Sequence, residues 1–393
     1  MVKKKLKIIF VLENYFPHVG GVEILFKNIT EGLVVQGHNI TVITHRFKNT
    51  KKYEVVNGVK IHRVSVPSFA SRYFFTFACI PLLLKLSKNT DIIHTTTYNG
   101  APPSSLVAKV RNIPSVITIH EVIGQNWTKL LEMSWLSGKI HEIIEKLIVN
   151  LPFSAYVGVS NSTVKNFQKA NKNKKGITVY NGMDYEFWNS KNIKSNEVLK
   201  IKKELRIKEN QFTYLFYGRP GPSKGFEYLL KSVKLIKKAI PNSKLVAILS
   251  KDKAYEKRYN NILKYIEKNE LQDHVLIHNP VNYNNLPKYL MASDCVVIPS
   301  LTEGFGFTTT ESCALGRPVV ASNTTSIPEV ISGKYILVNP ANSKSIANGI
   351  IDIYTKKYNK TKIKKFLWKD CIKGYEKIYY SIIKSKKNKN KVY

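Results

Sequence analysis

The sequence predicts an α/β protein built from two doubly wound, Rossmann-like parallel sheets, each in its own domain. Short apolar runs rich in β-branched residues alternate along the chain with stretches of helical periodicity. The runs are continuously apolar, which is typical of parallel strands covered by helices on both faces. The chain has 393 residues, and a single core rarely grows beyond about 250–300 residues. Two domains that face a central cleft are therefore expected.

The strands can be placed in order along the chain. In the first half they are LKIIFVL, NITVIT, VKIHRV, DIIHT, PSVITIH, AYVGVS and KGITVY, and in the second FTYLFYG, KLVAILS, HVLIHN, CVVIPS and PVVAS. An Asn- and Lys-rich stretch near residues 183–205 interrupts this rhythm and is predicted to be the linker. We therefore expect an N-terminal domain over 1–190, a C-terminal domain over 191–355, and a basic amphipathic helix and tail over 356–393. That last helix, at about 363–385, could cross back to the first domain.

The charge of the chain narrows the possible partners. Lys and Arg number 62 and Asp and Glu 27, which gives a net charge of +35. This excess favours an anionic membrane surface or nucleic acid as a partner, although evenly scattered lysines are also typical of a chain that carries lysine over its whole surface.

The segment that contains Arg72, Tyr73, Phe74 and Phe75 suits a membrane interface or a lipid-linked acceptor, and an ordinary buried helix is the alternative. No run reaches the ~20 apolar residues of a membrane-spanning helix, so we expect a cytoplasmic protein, peripheral on the inner face of the cell membrane.

Two glycine-containing loops follow predicted strands. The first, FPHVGGVE, contains Gly20 and Gly21, which allow a tight turn whose N–H groups suit a phosphate or a sugar; a plain βα turn is the alternative. The second, YGRPGPSKG, places Arg219 and Lys224 at the C-terminal end of a strand, where open α/β sheets bind ligands. A planar guanidinium and a mobile ammonium together suit a diphosphate, and two solvated surface cations are the alternative.

The segment IPSLTEGFGFTTTESCALGRPVVAS is the most informative part of the sequence about the ligand that the protein binds. It predicts a strand, a loop that contains Glu303, and a helix that begins near Thr308 with Glu311 about one turn inside it. Carboxylates accept paired hydroxyls and helix N-termini hold phosphate, so this segment suits a nucleotide sugar. Its candidate donor-binding residues are Glu303, Gly304, Phe305, Gly306, Phe307 and Glu311.

Taken together and in order, these motifs resemble the retaining GT-B glycosyltransferases of family 4. The shared features are the GGVE turn, His120 in VITIHE, SNST at 160–163, NGMD at 181–184, the GRPGPSKG loop and the Glu303-x₇-Glu311 pattern. The resemblance implies a GT-B fold and the transfer of a sugar from a nucleotide-diphosphate sugar to an acceptor hydroxyl. We expect that acceptor to be a lipid-linked glycan or a phospholipid.

The resemblance also implies a role for each candidate residue. Arg219 and Lys224 would hold the donor diphosphate, and Glu311 would bind the ribose hydroxyls. Glu303 and the backbone at Phe305 to Phe307 would grip the transferred sugar, and His120 would face the reacting centre. The candidate catalytic residues are His120, Glu303, Arg219 and Lys224. Gly20 and Gly21 would lie near the donor phosphates or the acceptor, and Glu13 and Asn14 would line the acceptor side.

The reaction is expected to need no metal and no resident cofactor. The chain contains neither the Asp-x-Asp motif of metal-dependent transferases nor HExxH, and its four cysteines form no CxxC pair. Alternatives are a soluble GT-B sugar synthase, a nucleotide-sugar epimerase and, in another class, a basic nucleic-acid-binding protein. The last lacks a recognisable reader motif, so no nucleic-acid partner is expected.

Overall fold

The computed structural model describes residues 4–67, 69, 71–251 and 253–389. The strands are β1 Lys7–Val11, β2 Asn39–His45, β3 Tyr53–Val56, β4 Val59–Val64, β5 Ile92–Thr96, β6 Ser115–Ile119, β7 Ala155–Gly158, β8 Gly176–Thr178, β9 Phe212–Gly218, β10 Ser243–Leu249, β11 Val275–His278, β12 Cys295–Ile298, β13 Val319–Ser322, β14 Lys334–Val338 and β15 Asn359–Lys360. The helices are α1 Gly21–Val35, α2 Ser71–Ala78, α3 Ile80–Leu86, α4 Ala101–Val110, α5 Trp127–Leu131, α6 Trp135–Asn150, α7 Asn161–Ala170, α8 Ser195–Glu204, α9 Phe226–Ala239, α10 Glu256–Lys268, α11 Leu286–Met291, α12 Phe307–Ala314, α13 Ile327–Val330, α14 Ser343–Tyr354 and α15 Trp368–Lys389. All twelve predicted strands are confirmed.

The chain forms two compact units. Unit 1 runs to Trp127, from Trp135 to Gly182, and again from Phe366 onward; unit 2 takes Thr128–Ser134 and Met183–Lys365. The chain therefore passes from unit 1 into unit 2 after Gly182, whereas the sequence placed the boundary at residue 190. The reason is that Met183 and Trp188 are buried in the core of unit 2. The predicted linker stretch likewise belongs to unit 2 and carries α8.

The sheet of unit 1 has the strand order β3-β4-β2-β1-β5-β6-β7-β8. Every pairing is parallel except that of β3 with β4, which is an antiparallel hairpin. Its turn is Asn57-Gly58, and both residues have positive φ, as an Asn-Gly hairpin turn requires. All five residues of β5 and of β6 are buried, as expected of central strands with helices on both faces.

The sheet of unit 2 has the strand order β11-β10-β9-β12-β13-β14-β15. All its strands are parallel except β15, which pairs antiparallel with β14. The central neighbours β9 and β12 run in the same direction, so their carboxyl ends lie at the same edge of the sheet. One core cluster includes Phe226, Val297 and Ile350 and another includes Trp188, Leu215 and Ile298, so apolar residues from the two faces of the sheet are both covered.

The C-terminal helix α15 packs against α1 of unit 1, which confirms that the chain crosses back to its first domain. The approach is close: a Cβ added at Gly32 of α1 would lie 2.2 Å from Cδ1 of Ile372. Beneath the helix, the Tyr379 hydroxyl lies 2.7 Å from Nδ1 of His94, and Nε2 of His94 lies 2.8 Å from Oγ1 of Thr118. Burial lowers the pKa of His94 to about 3, so its ring is neutral at physiological pH.

Replacing Tyr379 with Phe should destabilise unit 1, because buried Nδ1 of His94 then loses its hydrogen bond. We expect a loss of about 1–3 kcal/mol in the free energy of unfolding, the cost of leaving a buried polar atom unpaired. Urea denaturation followed by circular dichroism measures it. Tyr73→Phe, at a 58% exposed tyrosine of the same unit, is the matched control. An equal effect of the two changes would contradict the role given to this hydrogen bond.

Candidate functional site

Two loops meet at the carboxyl edge of the unit 2 sheet, one after β9 and one after β12. The N–H of Leu301 donates to the carbonyl oxygen of Ser223 at 2.7 Å, which ties the loops together. Gly225 adopts φ +63°, and a Cβ there would lie only 2.1 Å from the carbonyl oxygen of Pro299. A side chain at this position would therefore meet backbone, so the contact depends on glycine.

The tied loops bring Lys224 and Glu303 into an ion pair. Nζ of Lys224 lies 2.6 Å from Oε1 of Glu303, and Oγ of Ser300 donates to the same oxygen at 2.8 Å. The N–H of Glu303 donates to Oγ1 of Thr325 at 2.9 Å, which fixes the backbone. Both side-chain hydrogen bonds to this carboxylate from the described residues reach Oε1. Arg219 leaves the same strand end as Lys224 and is exposed.

The GFGF segment forms the turn into α12. Gly306 precedes the helix at φ +93°, a conformation that favours glycine. Phe305 is buried and its ring packs edge-on against Phe307 at 5.1 Å, which anchors the segment that includes Gly304. In the first turn of α12, Oγ1 of Thr308 is buried and has no hydrogen-bond partner among the described residues. The predicted helix start is confirmed.

Glu311 is buried one turn further along α12. Its Oε2 accepts from the Tyr217 hydroxyl at 2.6 Å and its Oε1 from the Tyr283 hydroxyl at 3.4 Å. Burial raises the pKa of Glu311 to about 7, although the two tyrosine hydroxyls oppose the shift by stabilising the carboxylate. The Tyr283 ring stacks on Phe187 at 5.3 Å. The carboxyl can therefore both accept and, when protonated, donate near neutral pH.

Tyr217, Tyr283 and Ser300 were not predicted as site residues. Tyr217 could have been found, since it is the last residue but one of β9 and the first residue of the predicted cationic loop YGRPGPSKG. Tyr283 follows β11 in a short turn, far from Glu311 in the sequence, and only the packing of unit 2 brings it there.

In unit 1, His120 follows β6 and is held by the SNST segment. Oγ of Ser160 accepts from the N–H of Thr163 at 3.1 Å, which caps α7, and Oγ1 of Thr163 donates to the carbonyl oxygen of His120 at 3.1 Å. Nε2 of His120 is buried and unpartnered within the described part of the chain. Burial lowers the pKa of His120 to about 4, so the ring is neutral and presents a free polar nitrogen.

The predicted Gly20-Gly21 turn leads into α1. Gly20 is the N-cap with an extended φ of −160°, which any residue can adopt. A larger residue at this position would collide with Glu23, because a Cβ at Gly20 would lie 2.5 Å from Oε2 of that carboxylate. The buried Glu23 is also contacted by Nδ1 of His18 at 3.1 Å.

Glu13, Asn14 and Arg72 line one small cavity of about 250 Å³ in unit 1, together with His18, His45 and Phe47. Oε1 of Glu13 accepts from Nε of Arg72 at 2.6 Å, and Oε2 accepts from Nδ2 of Asn99 at 2.5 Å. The structure thus joins the residues predicted for the acceptor side with one predicted for the membrane. It adds Asn99, which was not predicted.

The predicted aromatic membrane segment divides between surface and core. Tyr73 and Phe74 of α2 are 58% and 40% exposed. Phe75 is fully buried in a core cluster with Cys79 and Leu83, so the prediction that it belongs to an acceptor or membrane surface is corrected. The reason is helical spacing, which turns position 75 toward the sheet together with position 79.

The described residues contain neither a membrane-spanning helix nor a group of side chains suited to a metal ion. No helix among them is both long enough and apolar enough to cross a bilayer. Within the same ranges, no three His, Cys, Asp or Glu side chains are grouped so that they could hold a metal ion.

Two family models match successive parts of this chain. The model described as Glycosyltransferase Family 4 matches residues 19–187, and the model described as Glycosyl transferases group 1 matches residues 197–366. The first therefore includes His120 of unit 1, and the second includes the two loops and α12 of unit 2.

Individual proteins resemble the chain over most of its length. An uncharacterised glycosyltransferase of Methanocaldococcus jannaschii is 29% identical over 366 residues, which cover 88% of each chain. The alpha-monoglucosyldiacylglycerol synthase of Streptococcus pneumoniae is 25% identical over 346 residues, which cover 84% of this chain and 74% of that protein. The crystal structure of Anabaena HepE in complex with UDP and glucose covers 99% of this chain and 100% of that chain, with TM-score 0.71 and 16% identity. The last similarity concerns the fold.

Replacing Glu311 with Gln should flatten the pH dependence of stability. The pKa of this carboxyl rises from 4.5 to about 7 on folding, so the folded state binds more protons between those values. The protonated carboxyl therefore contributes to the free energy of unfolding at low pH. This contribution, about 3 kcal/mol in total, is lost as the pH rises from about 4.5 to about 7. Urea denaturation at pH 5 and pH 8 should show Glu311→Gln gaining stability relative to the native chain at the higher pH. The exposed Glu267→Gln is the control, and a variant that keeps the native slope would refute the expectation.

Proposed function

The chain belongs to glycosyltransferase family 4, and from this membership we propose that it is a retaining enzyme that moves a sugar from a nucleotide-diphosphate sugar to an acceptor hydroxyl. Its two parallel sheets have the GT-B architecture of this class. The observation that carries the proposal is the cluster of Lys224, Glu303 and Glu311 at the carboxyl edge of the unit 2 sheet. A cation, two carboxylates and a helix N-terminus suit the diphosphate and the hydroxyls of one ligand.

Each group of the cluster has a proposed part in donor binding. Lys224 and Arg219 hold the diphosphate, whose negative charge grows as it leaves. Glu303 accepts from hydroxyls of the transferred sugar through Oε2, because Lys224 and Ser300 both occupy Oε1. Ionised Glu311 accepts from the paired ribose hydroxyls, and the backbone of 305–307 approaches the sugar. The structure of Anabaena HepE with UDP and glucose supports a nucleotide sugar as the donor class.

The proposed chemistry is a substitution on one face of the sugar. The bond from the anomeric carbon to the diphosphate oxygen breaks, and its electron pair goes to that oxygen. The acceptor hydroxyl oxygen bonds to the same face of the anomeric carbon, and its proton passes to the departing phosphate oxygen. His120, neutral and with Nε2 unpartnered among the described residues, hydrogen-bonds the reacting sugar. The protein thus contributes position and electrostatics, and no covalent intermediate is required.

The proposed acceptor is a lipid-linked glycan or a phospholipid at the cytoplasmic face of the membrane. The net charge of +35 favours an anionic surface. The similarity to a synthase named for a glucosyldiacylglycerol product supports a lipid as the acceptor. Glu13, Asn14 and Arg72 line the unit 1 cavity and are proposed to hold the polar part of this acceptor.

Removing either partner of the ion pair should abolish transfer. Lys224→Ala and Glu303→Gln are each expected to lower kcat/KM at least 100-fold, since each removes a group that stabilises the donor or the leaving charge. The assay measures nucleoside diphosphate released from a panel of nucleotide sugars, with and without a membrane extract. Lys231→Ala, which removes an exposed lysine of α9, is the control. Normal turnover by Lys224→Ala would exclude the proposed role of the pair.

Transfer should continue when divalent metals are removed. Lys224 and Arg219 supply the positive charge that a metal ion would otherwise provide. We therefore expect unchanged nucleoside diphosphate release in the presence of EDTA. Activity that disappears with EDTA and returns only with Mg²⁺ or Mn²⁺ would overturn the metal-independent mechanism.

A further inference from the structure

Helix α6 of unit 1 carries a continuous apolar stripe on its exposed side. Leu136, Ile140, Ile143 and Leu147 follow one another at intervals of four, three and four residues, so they lie on one face of the helix. Their exposed fractions are 64%, 48%, 58% and 65%. Trp135, at the start of the helix, is 71% exposed. Over the 16 residues of α6 the stripe covers most of a helix about 24 Å long.

The opposite face of α6 is firmly packed. Ile148 and Val149 are buried in the core cluster below the helix. The buried carboxylate of Glu145 accepts from the N–H groups of Ile123 and Gly124, at 3.0 and 2.6 Å. One side of the helix is therefore fixed in the core, and the apolar side chains of its outer side are exposed among the residues that the structure describes. Such exposed apolar faces commonly mark interaction surfaces.

Neighbouring helices extend the apolar surface. The chain crosses the sheet in one direction from β4 through β5, β6 and β7, so right-handed connections place α2, α3, α4 and α6 on the same face. On that face α4 exposes Leu106 and Val110, at 51% and 65%. Helix α2 exposes Tyr73, Phe74 and Phe77. We call the outer surface of α2, α4 and α6 the outer apolar face.

The charges around the outer apolar face are nearly all positive. Residues 71–89, 101–112, 135–150 and 161–175 contain twelve basic side chains and two acidic ones. The basic ones are Arg72, Lys85, Lys88, Lys109, Arg111, Lys139, Lys146, Lys165, Lys169, Lys172, Lys174 and Lys175. Of the two acids, Glu145 is buried and Glu142 pairs with Lys139 at 2.8 Å. Arg72 likewise pairs with Glu13, so the other ten basic side chains give this face its net positive charge.

We propose that the outer apolar face docks on an anionic lipid bilayer, with the stripe of α6 inserted at the level of the headgroups. Apolar side chains flanked by lysines match the layered structure of such a surface, in which acyl chains lie beneath negative charge. A second copy of this chain would bring the same positive charge to the contact and be repelled. Nucleic acid offers charge but no surface that would bury Leu and Ile. The inference rests on the membrane location in the proposed function and assigns the surface responsible.

The test is flotation of the full chain with vesicles of phosphatidylcholine alone or of phosphatidylcholine mixed with anionic phosphatidylglycerol, which gives the vesicle a negative surface potential. The native chain should float with the anionic vesicles only. The variant Leu136→Gln/Ile140→Gln/Ile143→Gln/Leu147→Gln should show at least a tenfold lower partition coefficient. Its matched control is Leu199→Gln/Leu235→Gln/Leu263→Gln, which changes exposed leucines of unit 2 and should bind as the native chain does. Circular dichroism and thermal melting establish that both variants are folded.

The outcomes separate this inference from the enzymatic proposal. Vesicle binding needs neither donor nor acceptor, so inactivity toward every nucleotide sugar leaves this readout intact. Equal flotation of the α6 variant and the native chain would overturn the inference, even in an active enzyme. It would also be overturned if the native chain failed to bind anionic vesicles, or if sedimentation showed a dimer that the α6 changes dissolve. A charge-reversing Lys146→Glu/Lys169→Glu variant should retain folding and lose the preference for anionic vesicles.

Discussion

The close contact between the loop after β9 and the loop after β12 determines where the proposed donor-binding groups lie. It rests on Gly225, whose missing side chain lets the chain pass directly over the carbonyl oxygen of Pro299. With the loops joined, Lys224 and Glu303 meet across neighbouring strands and Glu303 is turned by Ser300. An exposed ion pair alone contributes little to stability. Here the backbone hydrogen bond between the two loops holds the pair in place.

Burial shifts the pKa of one ionisable group in each unit toward its neutral form, upward for an acid and downward for a base. In unit 2 it raises the pKa of Glu311 and so favours its neutral form, while the hydroxyls of Tyr217 and Tyr283 hold the carboxylate ready to ionise. In unit 1 burial lowers the pKa of His120 and keeps its ring uncharged. Groups whose charge is set by surroundings rather than by solvent are a frequent property of functional sites. Both groups follow strands of parallel sheets, where such sheets commonly bind ligands.

The sequence predicted the parts of the structure that local pattern determines. Continuous apolar runs located the central strands, and glycines beside acidic and basic residues located the two loops. The edge strand β3 was missed because none of its residues is buried, so it lacks the apolar pattern of the central strands and depends on its hairpin partner. Tyr283 was missed because tertiary packing alone brings it to Glu311. Phe75 was assigned to the surface because its neighbours share its aromatic character, whereas the helical period turns it inward.

The return of α15 to unit 1 has a consequence for how the chain is made. His94 and Thr118 leave the ribosome early, yet their hydroxyl partners on α15 arrive only with the last part of the chain. Until then Nδ1 of His94, on the buried strand β5, lacks its hydrogen-bond partner, which is costly for a polar atom in a core. Unit 2 lies entirely before that point in the sequence, so it can close while unit 1 is still open. Completing the core of unit 1 thus requires a segment that is synthesised after all of unit 2.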